Sequence, residues 1–144
     1  MLNYKLINGM RFASLNTEGR EKIMAKRILI IDDNELMAEV MTYILTGNGY
    51  EVIALNGGDN IFNDIKTIHP DLVILDALLP GMDGRDICKL IKLNRDTQNL
   101  PVIICSGSDD IDDALSQRGA PDDILHKPFN INNLVEKVEH QLAA

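Results

Sequence analysis

An α/β fold on a doubly wound parallel sheet is predicted by three observations. Short apolar runs rich in Ile and Val recur along the chain, at 28–31, 72–75, 102–105 and 124–125. Continuous runs of this kind read as strands buried on both faces, as in a parallel sheet covered by helices. The segments between them each exceed the dozen or so residues that a parallel crossover needs. Finally, the runs end on polar side chains: Asp32 and Asp33, Asp76, Ser106, and Lys127 after His126. Ligands of open parallel sheets bind outside the carboxyl ends of the strands, so these side chains are expected to converge on one crevice.

Strands are read at 27–32, 50–55, 71–76, 101–106 and 123–127, each followed by a helix. Asn34 caps the first helix, which runs towards Thr46 and carries Leu36, Val40, Tyr43 and Ile44 at helical spacing before Gly47 and Gly49 stop it. Met37 and Met41, four apart on that helix, are either core or part of a soft apolar patch for a partner. Ile61, Ile65 and Ile68 mark the second helix, and His69-Pro70 ends it. Ile87, Leu90 and Ile91 stripe the third, while the fourth, near Ile111 to Gln117, is short and weakly periodic. The fifth starts at Asn130 as cap and carries Ile131, Leu134, Val135, Val138 and Leu142. Residues 1–24 show no clear period and are expected to form a flexible leader ahead of a single domain spanning 25–144. They lack the apolar core of a secretory signal, and Met24-Ala25-Lys26 looks like a natural start.

Composition narrows the function. A chain of 144 residues is long enough for one cored domain and too short for two ordinary ones. With 45% hydrophobic and 25% charged residues it is neither a disordered nor a membrane chain, and no apolar stretch approaches the roughly 18 residues of a spanning helix. The net charge of −8 argues against a nucleic-acid surface, since phosphate binding is driven by Lys and Arg. Cys88 and Cys105 fall within a helix and a strand, where free Cys behaves as a small hydrophobe, so a reducing, cytoplasmic setting is expected. His69, His126 and His140 have no metal-ligand spacing.

Asp32, Asp33 and Asp76 together are a set of hard oxygen ligands that cannot share a crevice without a counter-ion. Mg2+ suits them, being octahedral and content with a few carboxylates plus waters and phosphate oxygens. A phosphoryl group would then lie between the ion and Lys127, which acts as a point charge, with the Ser106 hydroxyl on another oxygen. Phosphoryl transfer asks mainly for positioning and charge neutralisation. Taken singly, an acidic pair after a strand is a helix cap and Lys-Pro-Phe a turn. Their joint occurrence at strand ends makes them a site.

The set Ile30-Ile31-Asp32-Asp33-Asn34-Glu35, Asp76-Ala-Leu-Leu-Pro80-Gly-Met-Asp83-Gly84, Ser106-Gly107 and Lys127-Pro128-Phe129 resembles the receiver domain of bacterial two-component response regulators, and in particular the single-domain, chemotaxis-regulator-like members. The resemblance runs from Lys26 to Ala144. It implies a flavodoxin-like five-stranded sheet of order 2-1-3-4-5 with five helices. It makes Asp76 the phospho-acceptor, Asp33 a direct Mg2+ ligand, Asp32 a ligand mainly through water, and the Leu78 main-chain carbonyl the remaining protein ligand. Ser106 and Lys127 take the family's hydroxyl and lysine places, and the Lys127-Pro128 bond is cis in the family.

Three positions depart from the pattern. Ile124 stands where the family usually has the Tyr or Phe of its switch, and isoleucine, stiff at its first torsion, cannot perform an aromatic rotamer readout; Ser106 and Ile124 are therefore the switch positions to watch. Pro121 precedes the last strand where many relatives have none. Leu78, two residues past the nucleophile, is an apolar group positioned to restrict attacking water.

The resemblance implies a stand-alone receiver phosphorylated by a sensor histidine kinase or histidine phosphotransfer protein, with output through protein contact or onward relay. It implies no enzyme activity beyond the chain's own phosphorylation and dephosphorylation, and a monomer or phosphorylation-dependent dimer. Two other classes compete. One is a phosphorylation-independent protein-binding module, which the intact acidic set disfavours. The other is a magnesium-dependent aspartyl-phosphate hydrolase, whose Asp-x-Asp after the first strand is not matched by Asp32-Asp33-Asn34.

Overall fold

The computed structural model describes residues 2–7, 10–15 and 25–143. Two strands, β1 (Leu2–Ile7) and β2 (Met10–Leu15), precede a regular alternation. It runs β3 (Arg27–Ile31), α1 (Glu35–Gly47), β4 (Glu51–Leu55), α2 (Ile61–Ile68) and β5 (Leu72–Asp76). A short ribbon, β6 (Leu78–Leu79) and β7 (Met82–Asp83), leads into α3 (Gly84–Leu93). Then follow β8 (Val102–Ser106), a 3-10 segment (Asp109–Ser116), β9 (Asp123–His126) and α4 (Ile131–Leu142). The main sheet has the order β1-β2-β4-β3-β5-β8-β9. Its five parallel strands therefore follow the 2-1-3-4-5 order that the resemblance implied.

Strand periodicity divides the core into two layers. Leu29, Ile31, Val73, Leu75 and Ile104 face Ile61 and Ile68 of α2 and Ile87 and Ile91 of α3. Their neighbours Ile28, Ile30, Leu72, Ile74 and Ile103 face Ala38, Met41 and Leu45 of α1 and Leu134 and Val138 of α4. Each such fully buried aliphatic chain contributes about 1.5–3 kcal/mol. Helix starts are closed by side chains: Asn34 accepts from the Met37 amide at 3.1 Å and Asn130 from that of Asn133 at 2.7 Å. His69, at φ 53°, ends α2 in a left-handed turn before Pro70.

Two expectations are corrected. The fourth helix is a 3-10 segment rather than an α-helix, and Ile111 and Ala114 anchor it in the core. On α1 the buried face is Ala38, Met41, Thr42, Leu45 and Thr46, while Leu36, Val40 and Tyr43 lie outside at 72%, 44% and 72% exposure. Two apolar rows interleave on this helix, and the one with small residues fits against the sheet. Thr42 and Thr46 enter that face because their hydroxyls donate to the Ala38 and Thr42 carbonyls, each at 2.7 Å.

Within the stretch expected to be a flexible leader, residues 2–7 and 10–15 form an antiparallel hairpin; the rest of 1–24 lies outside the described residues. The hairpin extends the sheet through Phe12 and Ala13, paired with Ile53 and Val52 of β4. Phe12 is 4% exposed and lies under the Arg27 guanidinium, 5.0 Å from the ring centre. Arg27 in turn pairs with Glu51 at 3.1 Å and donates to the Ile68 carbonyl. One buried aromatic on a free sheet edge is thus what the missing periodicity concealed.

Candidate functional site

The parallel register brings the strand ends level. Ile31 lies opposite both Leu55 and Leu75, Asp76 opposite Cys105, and Ser106 opposite His126. The next residue along, Asp32, is tied down by its amide, which donates to the Leu55 carbonyl at 3.0 Å, and the Lys127 amide donates to the Ser106 carbonyl at 2.7 Å. Four chain segments distant in sequence therefore deliver Asp32, Asp76, Ser106 and Lys127 to one edge, and Asp33 follows at the rim.

Carboxylate oxygens of Asp32, Asp33 and Asp76 lie within 4.8 Å of one another. Asp32 is 2% exposed and Asp33 is exposed, so the cluster has a buried base and an open mouth. Lys127 Nζ stands 3.4 Å from Asp76 Oδ2 and 3.9 Å from Asp32 Oδ2. One ammonium thus faces two of the three carboxylates. Asp32 Oδ1 accepts from the Asn34 amide at 2.9 Å, whereas Asp32 Oδ2 is buried without a hydrogen-bond partner among the described residues. Burial chiefly raises the Asp32 carboxyl above its ordinary range, with the Asp76 charge adding to it and the Asn34 amide and Lys127 opposing. An orphaned buried oxygen within a surplus of negative charge fits a hard divalent cation, and Mg2+ satisfies that donor set.

Asp76 Oδ1 accepts from the Leu78 amide at 3.1 Å. The Leu78 side chain is 77% exposed at the mouth, on the ribbon opposite Asp83. Ser106 is buried and its Oγ accepts from the Ser108 amide at 3.0 Å, which leaves the hydroxyl proton free to be donated elsewhere. Ile124 sits away from the crevice, buried in the layer beneath α2 and α3. The Lys127-Pro128 bond is cis.

Gly84 closes the segment that begins at Asp76. Its amide donates to the Ala77 carbonyl at 2.9 Å, and a Cβ there would collide with the Asp76 carbonyl oxygen and come within 2.9 Å of Ala77 Cα. The start of α3 is therefore pressed against the backbone that carries Asp76. A glycine at a helix start is a weak signal in sequence, because the close approach depends on the strand it meets. The two cysteines lie outside the crevice; Cys88 and Cys105 are buried and burial pushes each thiol up to about 12, so both are inert. No described helix is long and apolar enough to cross a membrane.

The response regulator receiver domain family matches residues 28–139. The DNA-binding response regulator MtrA of Mycobacterium tuberculosis is 32% identical over 120 residues, covering 83% of this chain and 51% of MtrA. The chain thus spans about half the length of the curated relatives it matches. Among solved structures, the signal receiver domain of a signal transduction histidine kinase from Syntrophus aciditrophicus is 32% identical with a TM-score of 0.75, covering 83% of this chain and 91% of that one. The response regulator TrrA of Thermotoga maritima, solved in complex with Mg(2+)-BeF, is 30% identical with a TM-score of 0.72, covering 81% of this chain and 99% of its own.

Proposed function

The chain belongs to the response regulator receiver domain family, and on that premise we propose that it is a magnesium-dependent phospho-acceptor that takes a phosphoryl group at Asp76 from a histidine kinase or histidine phosphotransfer protein. The observation that carries this is the convergence of three carboxylates within 4.8 Å, with the Lys127 ammonium 3.4 Å from Asp76.

In the proposed step an Asp76 carboxylate oxygen attacks the phosphorus of a phosphohistidine. The new O–P bond forms as the N–P bond breaks, and the imidazole departs with the electron pair. Asp76 Oδ1 is held by the Leu78 amide, which leaves Oδ2, the oxygen nearer Lys127, as the attacking atom. The Lys127 ammonium offsets the charge carried in on one phosphoryl oxygen, and the Ser106 hydroxyl donates to another. Asp32, Asp33, Asp76 and the Leu78 carbonyl would hold Mg2+, which when bound neutralises the carboxylates and polarises the phosphoryl group. With Ile124 in the core, engagement of Ser106 is read without an aromatic rotamer.

The chain catalyses only its own phosphorylation and dephosphorylation, in the cytoplasm, and signals through phosphorylation-dependent protein contact or onward phosphotransfer. Leu78 at the crevice mouth obstructs attacking water. Leu78→Asn is therefore expected to shorten the phosphorylated lifetime several-fold, followed by loss of label with time; an unchanged decay would remove Leu78 from the account.

The deciding experiment is the intact mass after incubation with acetyl phosphate and magnesium. One added phosphoryl group is expected in the wild type, and none in Asp76→Asn or in chelator. Folded protein that gains no mass would instead favour a phosphorylation-independent binding module.

A further inference from the structure

The hairpin moves the free edge of the sheet. β1 is the outermost strand in the order β1-β2-β4-β3-β5-β8-β9, and among the described residues its only strand partner is β2. Its register with β2 runs without a bulge from Leu2↔Leu15 to Ile7↔Met10. An edge strand of six residues with neither proline nor bulge keeps a row of backbone amides and carbonyls open to pairing with another strand. The opposite edge, β9, is only four residues long, and Lys137 reaches onto its first residue, with Nζ 3.0 Å from Asp123 Oδ1. On β1, Asn3, Tyr4, Lys5 and Leu6 are all exposed, Leu6 at 74%. Positions 2, 4 and 6 read Leu-Tyr-Leu, the same in either direction.

We propose that β1 pairs antiparallel with β1 of a second copy of this chain, about a two-fold axis at Tyr4, so that two seven-stranded sheets join into one. A two-fold interface sets residue i against j and j against i. With Tyr4 opposite Tyr4 of the second copy, Leu6 falls opposite Leu2 and Lys5 opposite Asn3. The apolar row of the sequence therefore continues across the junction, and the single charged residue of β1 does not face its own copy. An axis at Lys5 would instead oppose two ammonium groups. A palindromic row with one off-axis charge is complementary to itself, so the occupant is a second copy rather than an unrelated strand. The Arg11 guanidinium lies 3.7 Å over the Tyr4 ring and holds it on the face that Tyr4 shares with its cross-strand partner Ala13. Charge favours the same place. Two chains of net charge −8 repel each other least where carboxylates are absent, and the two hairpin strands carry Lys5 and Arg11 with no acidic residue. The crevice at the ends of β3, β5 and β8 takes no part, so the pairing is independent of phosphorylation at Asp76.

Six residues a side make a small interface, for which a Kd of about 10 μM is expected. Sedimentation velocity of the full chain should therefore show mostly monomer at about 1 μM and mostly dimer at about 100 μM, with and without acetyl phosphate. Tyr4→Lys opposes two ammonium groups on the axis and should weaken the dimer about tenfold. Ile131→Lys, at a position 59% exposed on α4, should leave it unchanged. Tyr4→Cys distinguishes a lost contact from a lost hairpin. Residues directly opposite each other in an antiparallel pair lie roughly 4.5–5.5 Å apart at Cα, within reach of a disulfide, so mild copper-catalysed oxidation should link two Tyr4→Cys chains on a non-reducing gel. The diagonal pair made by Asn3→Cys lies about 7–8 Å apart and should stay unlinked. Cys88 and Cys105 are buried and add no background. Wild type that stays monomeric at about 100 μM, or that dimerises only after acetyl phosphate, overturns the proposal. So does cross-linking through Asn3→Cys in place of Tyr4→Cys, or a dimer lost in Ile131→Lys and kept in Tyr4→Lys, which would put the contact on α4.

Discussion

Asp32 and Gly84 show how far single positions constrain the crevice. Burial favours the protonated form of Asp32 in the folded state, so the stability it contributes is present below its ordinary value of 3.8 and is lost as pH rises through the raised value. At pH 7 in chelator its ionised carboxylate therefore costs stability. Asp32→Asn keeps an oxygen for the Asn34 amide and is expected to raise Tm by about 3 °C in chelator, and to lose that advantage when magnesium is added. Calorimetry in both buffers checks it, and a lower Tm in chelator would contradict the burial argument. Gly84→Ala acts oppositely, because its Cβ meets backbone that has no flexible end to yield. The variant should lose about 2 kcal/mol in urea unfolding and label more slowly at Asp76. The acidic residues were legible in sequence because they end apolar runs. The need for Gly84 was not, because it arises from a contact between two elements.

Among the elements, α1 and the hairpin departed most from their sequence reading. A helix with two interleaved apolar rows does not declare which one faces in; the sheet decides by the space between β3, β4 and α4, and it took the row with Ala38 and Met41. Met41 is accordingly core, and the exposed stripe is Leu36, Val40 and Tyr43. The hairpin depends on Phe12 packed across from Ile53. Phe12→Ala should cost about 3 kcal/mol, felt locally. Hydrogen exchange of residues 10–15 should quicken about 100-fold, with β5 and β8 unchanged; uniform loss of protection would mean that the hairpin and sheet unfold as one unit.

At the scale of the whole molecule, folding gathers more negative charge at one sheet edge than Lys127 offsets, and a cation that binds only the folded state stabilises it by mass action. Magnesium at a hundredfold excess over its Kd should contribute about 2.7 kcal/mol and raise Tm by about 9 °C, reversibly with chelator. A Tm indifferent to magnesium would disconnect the acidic cluster from metal binding. The parallel sheet, its five strands and the residues at their ends are legible in the sequence, since burial on both faces writes itself into short local runs and the polar residue that closes each run marks the rim. Contacts between elements settle which face of α1 turns inward, that Leu2–Ile7 and Met10–Leu15 add two strands at the β4 edge, that Asp109–Ser116 is a 3-10 segment, and that Gly84 must lack a side chain. Each of these is settled by contacts between segments far apart in the chain, and no local period records them.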